Sequence, residues 1–142
     1  MAASGAIWAK GVQLKRGNGA TPEVFTVLAE VVSLSSPGLT ADMIEVTNHQ
    51  SDGGYEEFVA GVIRTGSISV EINWQPTATT HAQILTDIEA RDVINFQLIW
   101  PDTGSTTWTL PCLPESFSQE APVEGKLAGT YTLKVTGQPT LA

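Results

Sequence analysis

The eight residues "SISVEINW" limit the fold more than any other stretch. Ile68, Val70, Ile72 and Trp74 alternate without interruption with Ser67, Ser69, Glu71 and Asn73. Residues two apart share one face of a strand, so the segment has one apolar and one polar face and suits no helix. A second strand of the same kind lies near the end of the chain, in "LAGTYTLKVTG". There Tyr131, Leu133 and Val135 alternate with Thr130, Thr132, Lys134 and Thr136. Strand-like segments also occupy 7–17, 24–35, 42–47, 93–100 and 106–113, rich in β-branched and aromatic residues. The last two form a hairpin around "PDTGS", while "GNGATPE" and the Pro-Gly pair of "SPGLT" mark turns. One segment breaks the rule: "TTHAQILTDIEARD" puts Ile84, Leu85 and Ile88 on a helical face with His81 beside them. Thr80 and Gln83 have the spacing of a capping box, which predicts a helix from there to Arg91 or Asp92. About seven strands and one helix define an α+β, mainly β, single-domain sandwich or barrel with one flanking α-helix. This domain is expected to span residues 1–142 and end in a short tail, "QPTLA".

Composition narrows the function. Only 15% of the residues are charged, and fifteen acidic against seven basic side chains give a net charge of −8. Tight nucleic-acid binding needs clustered Lys and Arg to displace counterions, and the one basic grouping, Lys10, Lys15 and Arg16, is small. Cys112 is the lone cysteine, set among apolar residues and prolines in "LPCLP", so it reads as a small core residue rather than a nucleophile. His49, Asp52, Glu56 and Glu57 match no recurring zinc or calcium spacing. There is no G-x-S-x-G elbow, no phosphate loop in "RGNGATPE", and Glu56 and Glu57 point to opposite faces of an extended segment. No catalytic residue, cofactor or metal is implied. The N-terminus lacks the pattern of a secretion signal, and no run reaches the roughly 18 apolar residues of a membrane span, so a soluble protein made in a reducing cytoplasm is expected.

The segment that remains is "TNHQSDGGYEEFVAG", read as a long loop at about 48–61. Loops of that length inside a small domain usually have a function. Tyr55, Phe58 and Val59 beside Asp52, Glu56 and Glu57 have the make-up of a protein interface: aromatic anchors within a charged rim. Folding back onto the domain's own core is the other physical outcome.

From "GNGATPEVFTVLAEVV" through "SPGLTADMIEVTNH", "GGYEEFVAG", the alternating strand, "PTATTHAQILTDIEARD" and the close "TLKVTGQPT", the chain resembles the major tail proteins that form the tube of long non-contractile phage tails. Related tubes occur in gene-transfer agents. The resemblance implies a β-sandwich with a flanking helix, hexameric rings stacked into a conduit for DNA, and a place in the virion tail. It implies that Asn48, His49, Gln50, Ser51, Asp52, Tyr55, Glu56, Glu57 and Phe58 form an arm reaching the adjacent ring. Tape-measure and tail-terminator proteins would be partners, DNA would pass without specific binding, and no membrane would be involved. A lumen that must not hold DNA favours acidic and small polar linings, which makes Ser67, Ser69, Glu71, Asn73, Thr130, Thr132 and Thr136 the candidates. Lys134 on that face argues against it unless paired with an acid. The rivals are a single-ring terminator or connector and a monomeric β-sandwich ligand-binding module using Trp8, Trp74, Trp100 and Trp108. Trp74 and Trp100 fit core positions better.

Overall fold

The computed structural model describes residues 4–36 and 38–141. Its strands are β1 (Gln13–Gly17), β2 (Phe25–Val27), β3 (Val31–Ser35), β4 (Leu39–Glu45), β5 (Phe58–Thr65), β6 (Ser67–Asn73), β7 (Ile94–Ile99), β8 (Thr107–Glu120), β9 (Ala128–Val135) and β10 (Thr140–Leu141). The helix α1 (Thr79–Ala90) lies between β6 and β7. The main sheet is antiparallel in the order β2-β1-β7-β8-β9-β6-β3, with β10 also on β8, and β4 and β5 form a separate two-stranded hairpin.

Strand β8 explains how this sheet encloses a core. Its first half, Thr107–Cys112, pairs with β7, and its second half, from Cys112 to Glu120, pairs with β9. The register shifts between Pro114 and Ser116, where proline removes a ladder donor and lets the strand bend. The β1–β7 and β9–β6 portions therefore face each other. Leu14, Phe96 and Leu98 from one side meet Ile68, Val70, Ile72, Tyr131 and Leu133 from the other, with Leu110, Cys112 and Val135 between them. The two alternating strands pair directly, Ile68 opposite Leu133 and Val70 opposite Tyr131, so both apolar faces are buried as expected.

The expected single strand over 24–35 is two strands at opposite ends of the sheet. Glu30 takes a left-handed conformation, φ 59°, and its carbonyl accepts from Asn73 N–H, while Leu28 N–H donates back to Leu14 on β1. The chain crosses the sandwich there, which a run of β-branched residues does not reveal. The expected Pro-Gly turn includes Pro37, which lies outside the described residues.

The helix forms where its pattern placed it, but without the capping box. Its N-cap is Ala78, which makes no side-chain cap. The Thr80 hydroxyl accepts from Ala29 N–H (3.4 Å), and Gln83 donates to Asp87 (3.0 Å), so both side chains are used elsewhere. Asp87 also receives a two-pronged ion pair from Arg16 of β1, at 2.6 and 2.7 Å, tying helix to sheet. His81 is fully buried. Its Nδ1 faces Gln75 N–H at 3.0 Å, so it must accept, and Nε2 carries the proton donated to the Ala29 carbonyl at 2.7 Å. Both ring nitrogens serve the fold, and the ring stacks on Trp74.

Candidate assembly interface

The segment expected as a loop over 48–61 is the end of a hairpin. Phe58, placed on that loop, begins β5, and β4 and β5 pair from Leu39 opposite Thr65 to Glu45 opposite Phe58. What remains between them, Val46–Glu57, is a built turn. Asn48 Oδ1 accepts from Gln50 N–H, Thr47 Oγ1 accepts from Glu57 N–H, and Ser51 Oγ accepts from Asn48 N–H while donating to Glu57. Gly53 and Gly54, at φ 62° and 76°, turn the chain where a side chain would be strained. Tyr55 stands 79% exposed at the tip, with His49, Asp52 and Glu56 exposed around it. Among the described residues, no three His, Cys, Asp or Glu side chains converge as a metal site would require.

The hairpin is unusual in its faces. By alternation along β4 and the register of β5, Thr40, Asp42 and Ile44 share one face with Arg64 and Val59, and there Arg64 forks onto Asp42 at 2.8–3.1 Å. The Arg64 guanidinium holds the Asp42 carboxyl below the usual carboxylate range. The opposite face carries Leu39, Ala41, Met43, Phe58, Ala60 and Ile63, with Thr65 and Glu45 at its two ends. Leu39, Met43, Phe58 and Ile63 remain 48–67% exposed. An isolated two-stranded hairpin is marginal in water, and burial of an apolar face is what ordinarily stabilises one. Here nothing among the described residues covers it. Sequence reasoning found Tyr55, Phe58 and Val59 and missed Leu39, Met43, Ile44, Val62 and Ile63. Two apolar runs flanking "SDGG" were the available hairpin signal.

The second candidate surface is the polar side of the β-sandwich. Ser69 lies between Ser35 on β3 and Thr132 on β9, and Thr132 lies opposite Ser116 on β8. Glu71 likewise lies between Ser33 and Thr130, and Thr130 opposite Ser118. Ser67, Ser69, Glu71, Asn73, Thr130 and Thr132 are thus brought onto one face, two rows of which are hydroxyls apart from Glu71. Thr136 stands one residue beyond β9. Lys134, opposite Ser67, finds no acid: its ammonium donates to the Thr65 carbonyl at 3.3 Å. This four-stranded patch, β3-β6-β9-β8, has two open edges. β3 ends the sheet, and β8 beyond Cys112 has β9 on one side and no strand on the other.

The aromatic side chains give no stacking platform. Trp74 packs on His81 and Phe117, and Trp100 packs edge-on against Trp108, leaving Trp8 as the exposed tryptophan, at 79%. Cys112 is buried, which pushes its thiol up to about 12 and keeps it protonated. No described helix is long and apolar enough to cross a membrane.

A sandwich with two open sheet edges and an uncovered apolar hairpin defines a class: a subunit built to be completed by other chains. The comparisons say which kind. Residues 8–142 match the lambda phage tail tube protein family, and the chain belongs to it. Its function is accordingly structural, as part of a tail tube. Solved structures repeat the fold. A chain of the native gene transfer agent virion superposes with a TM-score of 0.77 at 21% identity, covering 96% of this chain and 99% of that one. A chain of the tail of an empty gene transfer agent particle of C6 symmetry gives 0.78 at 22% identity, with coverages of 96% and 99%. The SPP1 tail tube gives 0.70 at 14%, covering 96% of this chain and 80% of that one. A search of the curated proteins finds no match.

Proposed function

We propose that six copies form a ring and that rings stack into the tube through which DNA leaves the particle, making this chain a component of the virion tail. The observation that carries this is the β4–β5 hairpin, an apolar element with no partner among the described residues, in a member of a tube-forming family. The C6 symmetry of the gene transfer agent tail supports the ring number. Ring closure follows from the open edges: β3 of one copy pairs along Leu113–Glu120 of β8 in the next, continuing the hydroxyl-rich face around a lumen. Ser67, Ser69, Glu71, Asn73, Thr130, Thr132 and Thr136 line it. Lys134 is the one cation on this face among the described strand residues, and its ammonium is bonded to the Thr65 carbonyl. The hydroxyls, amide and glutamate around it offer a phosphate backbone little to displace counterions with, so DNA slides without being held. The hairpin's apolar face lies on another copy, and its tip, Asn48 to Phe58, makes the contact between rings. Tape-measure and terminator proteins are the partners, and the chain performs no catalysis.

The test is electron microscopy of the purified protein across a concentration series. Six-fold rings and stacked tubes are expected. Compact monomers at high concentration would refute the proposal, and single rings that never stack would favour a terminator.

A further inference from the structure

We infer that the hairpin tip seats on the N-terminal groove of a second copy, with Tyr55 in an apolar pocket and Glu56 against Lys10. This rests on the reading above, that the hairpin docks on another copy, and names the surface that receives it.

The tip offers an aromatic ring 79% exposed between two carboxylates, Asp52 and Glu56, neither of which has a side-chain hydrogen bond or ion pair among the described residues. Glu57 is held by Ser51 and is not available in the same way. A receiving surface must therefore be apolar and basic. The chain has seven basic side chains. Arg16 and Arg64 are ion-paired, and Lys134 is bonded to the Thr65 carbonyl. Lys15 is partly buried in β1, Arg91 is followed by Asp92, and Lys126 stands between Glu120, Glu124 and the acidic Glu71 side of the sheet.

Lys10, in no ion pair among the described residues, combines its charge with an exposed aromatic ring and an apolar groove. Its ammonium sits 5.6 Å from the centre of the Trp8 ring, and Trp8 and Ile7 are 79% and 63% exposed. Beside them opens a groove of about 460 Å³ walled by Ile7, Val12, Leu34, Trp100 and Pro101. Asp102 also borders the groove, but its carboxylate is taken up by the Thr106 N–H and hydroxyl. An aromatic side chain with an adjacent carboxylate matches this surface in shape and in charge.

The contact must join two molecules. Leu34, on the groove wall, lies in β3, five residues before Leu39 opens β4, so the groove is near the hairpin base. Seven residues of β4 then separate the tip from that base by roughly 23 Å at about 3.3 Å per residue.

Charge reversal tests this in full-length protein. Lys10→Glu and Glu56→Lys should each raise the concentration needed for tube assembly about tenfold, since each converts an attraction into a repulsion. The double variant should return to within about threefold of the parent. A cysteine pair, Ala9→Cys with Tyr55→Cys, should give disulfide-linked ladders under oxidation. Unchanged thermal melts of the separate subunits confirm that the exposed substitutions leave the fold alone. Tubes that form normally in both single variants, or single defects that simply add in the double, would overturn this inference while leaving the tube reading intact. Rescue of Glu56→Lys by Lys126→Glu instead of Lys10→Glu would move the receiving surface to the β8–β9 turn and overturn it equally. Failure of the parent protein to assemble at all would refute the underlying reading and this contact with it.

Discussion

Replacing Leu39, Met43 and Ile63 together by Thr separates assembly from folding. The three side chains share the apolar face of the β4–β5 hairpin and are 57%, 61% and 67% exposed in the subunit. Complete burial of such a side chain is worth about 1.5–3 kcal/mol, so covering the half to two-thirds still open yields roughly 1–2 kcal/mol each. Threonine suits a strand and keeps one methyl but forfeits most of that, and the three changes together remove about 3–4 kcal/mol per docked hairpin. At 1.4 kcal/mol per decade, the assembly constant falls by roughly a hundred- to a thousandfold. Substitutions at exposed sites change subunit stability by only about 0.5 kcal/mol or less apiece. The assays are a pelleting threshold measured against protein concentration and a circular-dichroism melt of the dilute subunit. A threshold within about threefold of the parent would show that this face stays in water in the tube, and the docking argument would fail. A large drop in the melt with an unchanged threshold would mean that the hairpin serves its own fold instead.

Removing Gln50–Glu57 should leave a folded domain, because the tip turn bonds mainly to itself; tubes of normal length from that variant would remove the tip from the assembly mechanism. Glu71→Lys places a cation in the proposed lumen beside Ser33 and Thr130, and should slow DNA delivery without altering tube formation, read out as infectivity or transfer efficiency; unchanged delivery would put that face elsewhere. Tyr131→Phe deletes a buried hydroxyl that has no hydrogen-bond partner, so the melting point should rise, by the equivalent of about 1 kcal/mol; a fall would show that the hydroxyl is bonded in solution. Cys112 should resist thiol reagents at pH 8 until the protein unfolds. Its folded value of about 12 lies above the ordinary 9.0, so the native state holds the proton more tightly. That contribution is complete below pH 9 and is lost as pH rises from 9 towards 12. Rapid labelling of the native protein at pH 8 would contradict this.

The parts of the fold that could be read in the sequence are those where burial is one-sided. β6 and β9 each bury one face of a strand, and period-two alternation is the direct record of that. The helix showed itself through Ile84 and Ile88, although its start was misjudged, because Thr80 and Gln83 spend their polar groups on Ala29 and Asp87, contacts far away in sequence or aimed down the helix. β8 was cut short at Leu113 because Pro111 and Pro114 look like strand breakers. They are tolerated at its bend, and the strand continues to Glu120 along β9. The hairpin was hidden for the opposite reason. Both of its faces carry apolar residues, so no alternation marks β4 or β5, and Leu39, Met43 and Ile63 stay exposed among the described residues, leaving no burial within the chain to read. The tip residues were legible as an interface by composition, whereas the surface that buries most of the apolar area was not.

An uncovered apolar hairpin is a hazard before assembly, since a long flat edge pairs with any strand it meets. Two features restrain this one. The register shift opposite Asp42, where Gly61 and Val62 stand against one residue of β4, interrupts the run of evenly spaced backbone groups along β5. The Arg64–Asp42 fork then occupies one face with a charge pair that would have to be stripped of water before that face could stack on anything apolar. Indiscriminate association is thereby discouraged on one side, while the face bearing Leu39, Met43, Phe58 and Ile63 remains free for a matching surface. Breaking the fork should expose this division of labour. In Arg64→Leu the first face loses its charge pair and keeps Ile44 and Val59, and amorphous aggregation should rise at concentrations where the parent forms ordered tubes. Ordered tubes with no increase in aggregation would show that the ion pair does not guard the hairpin.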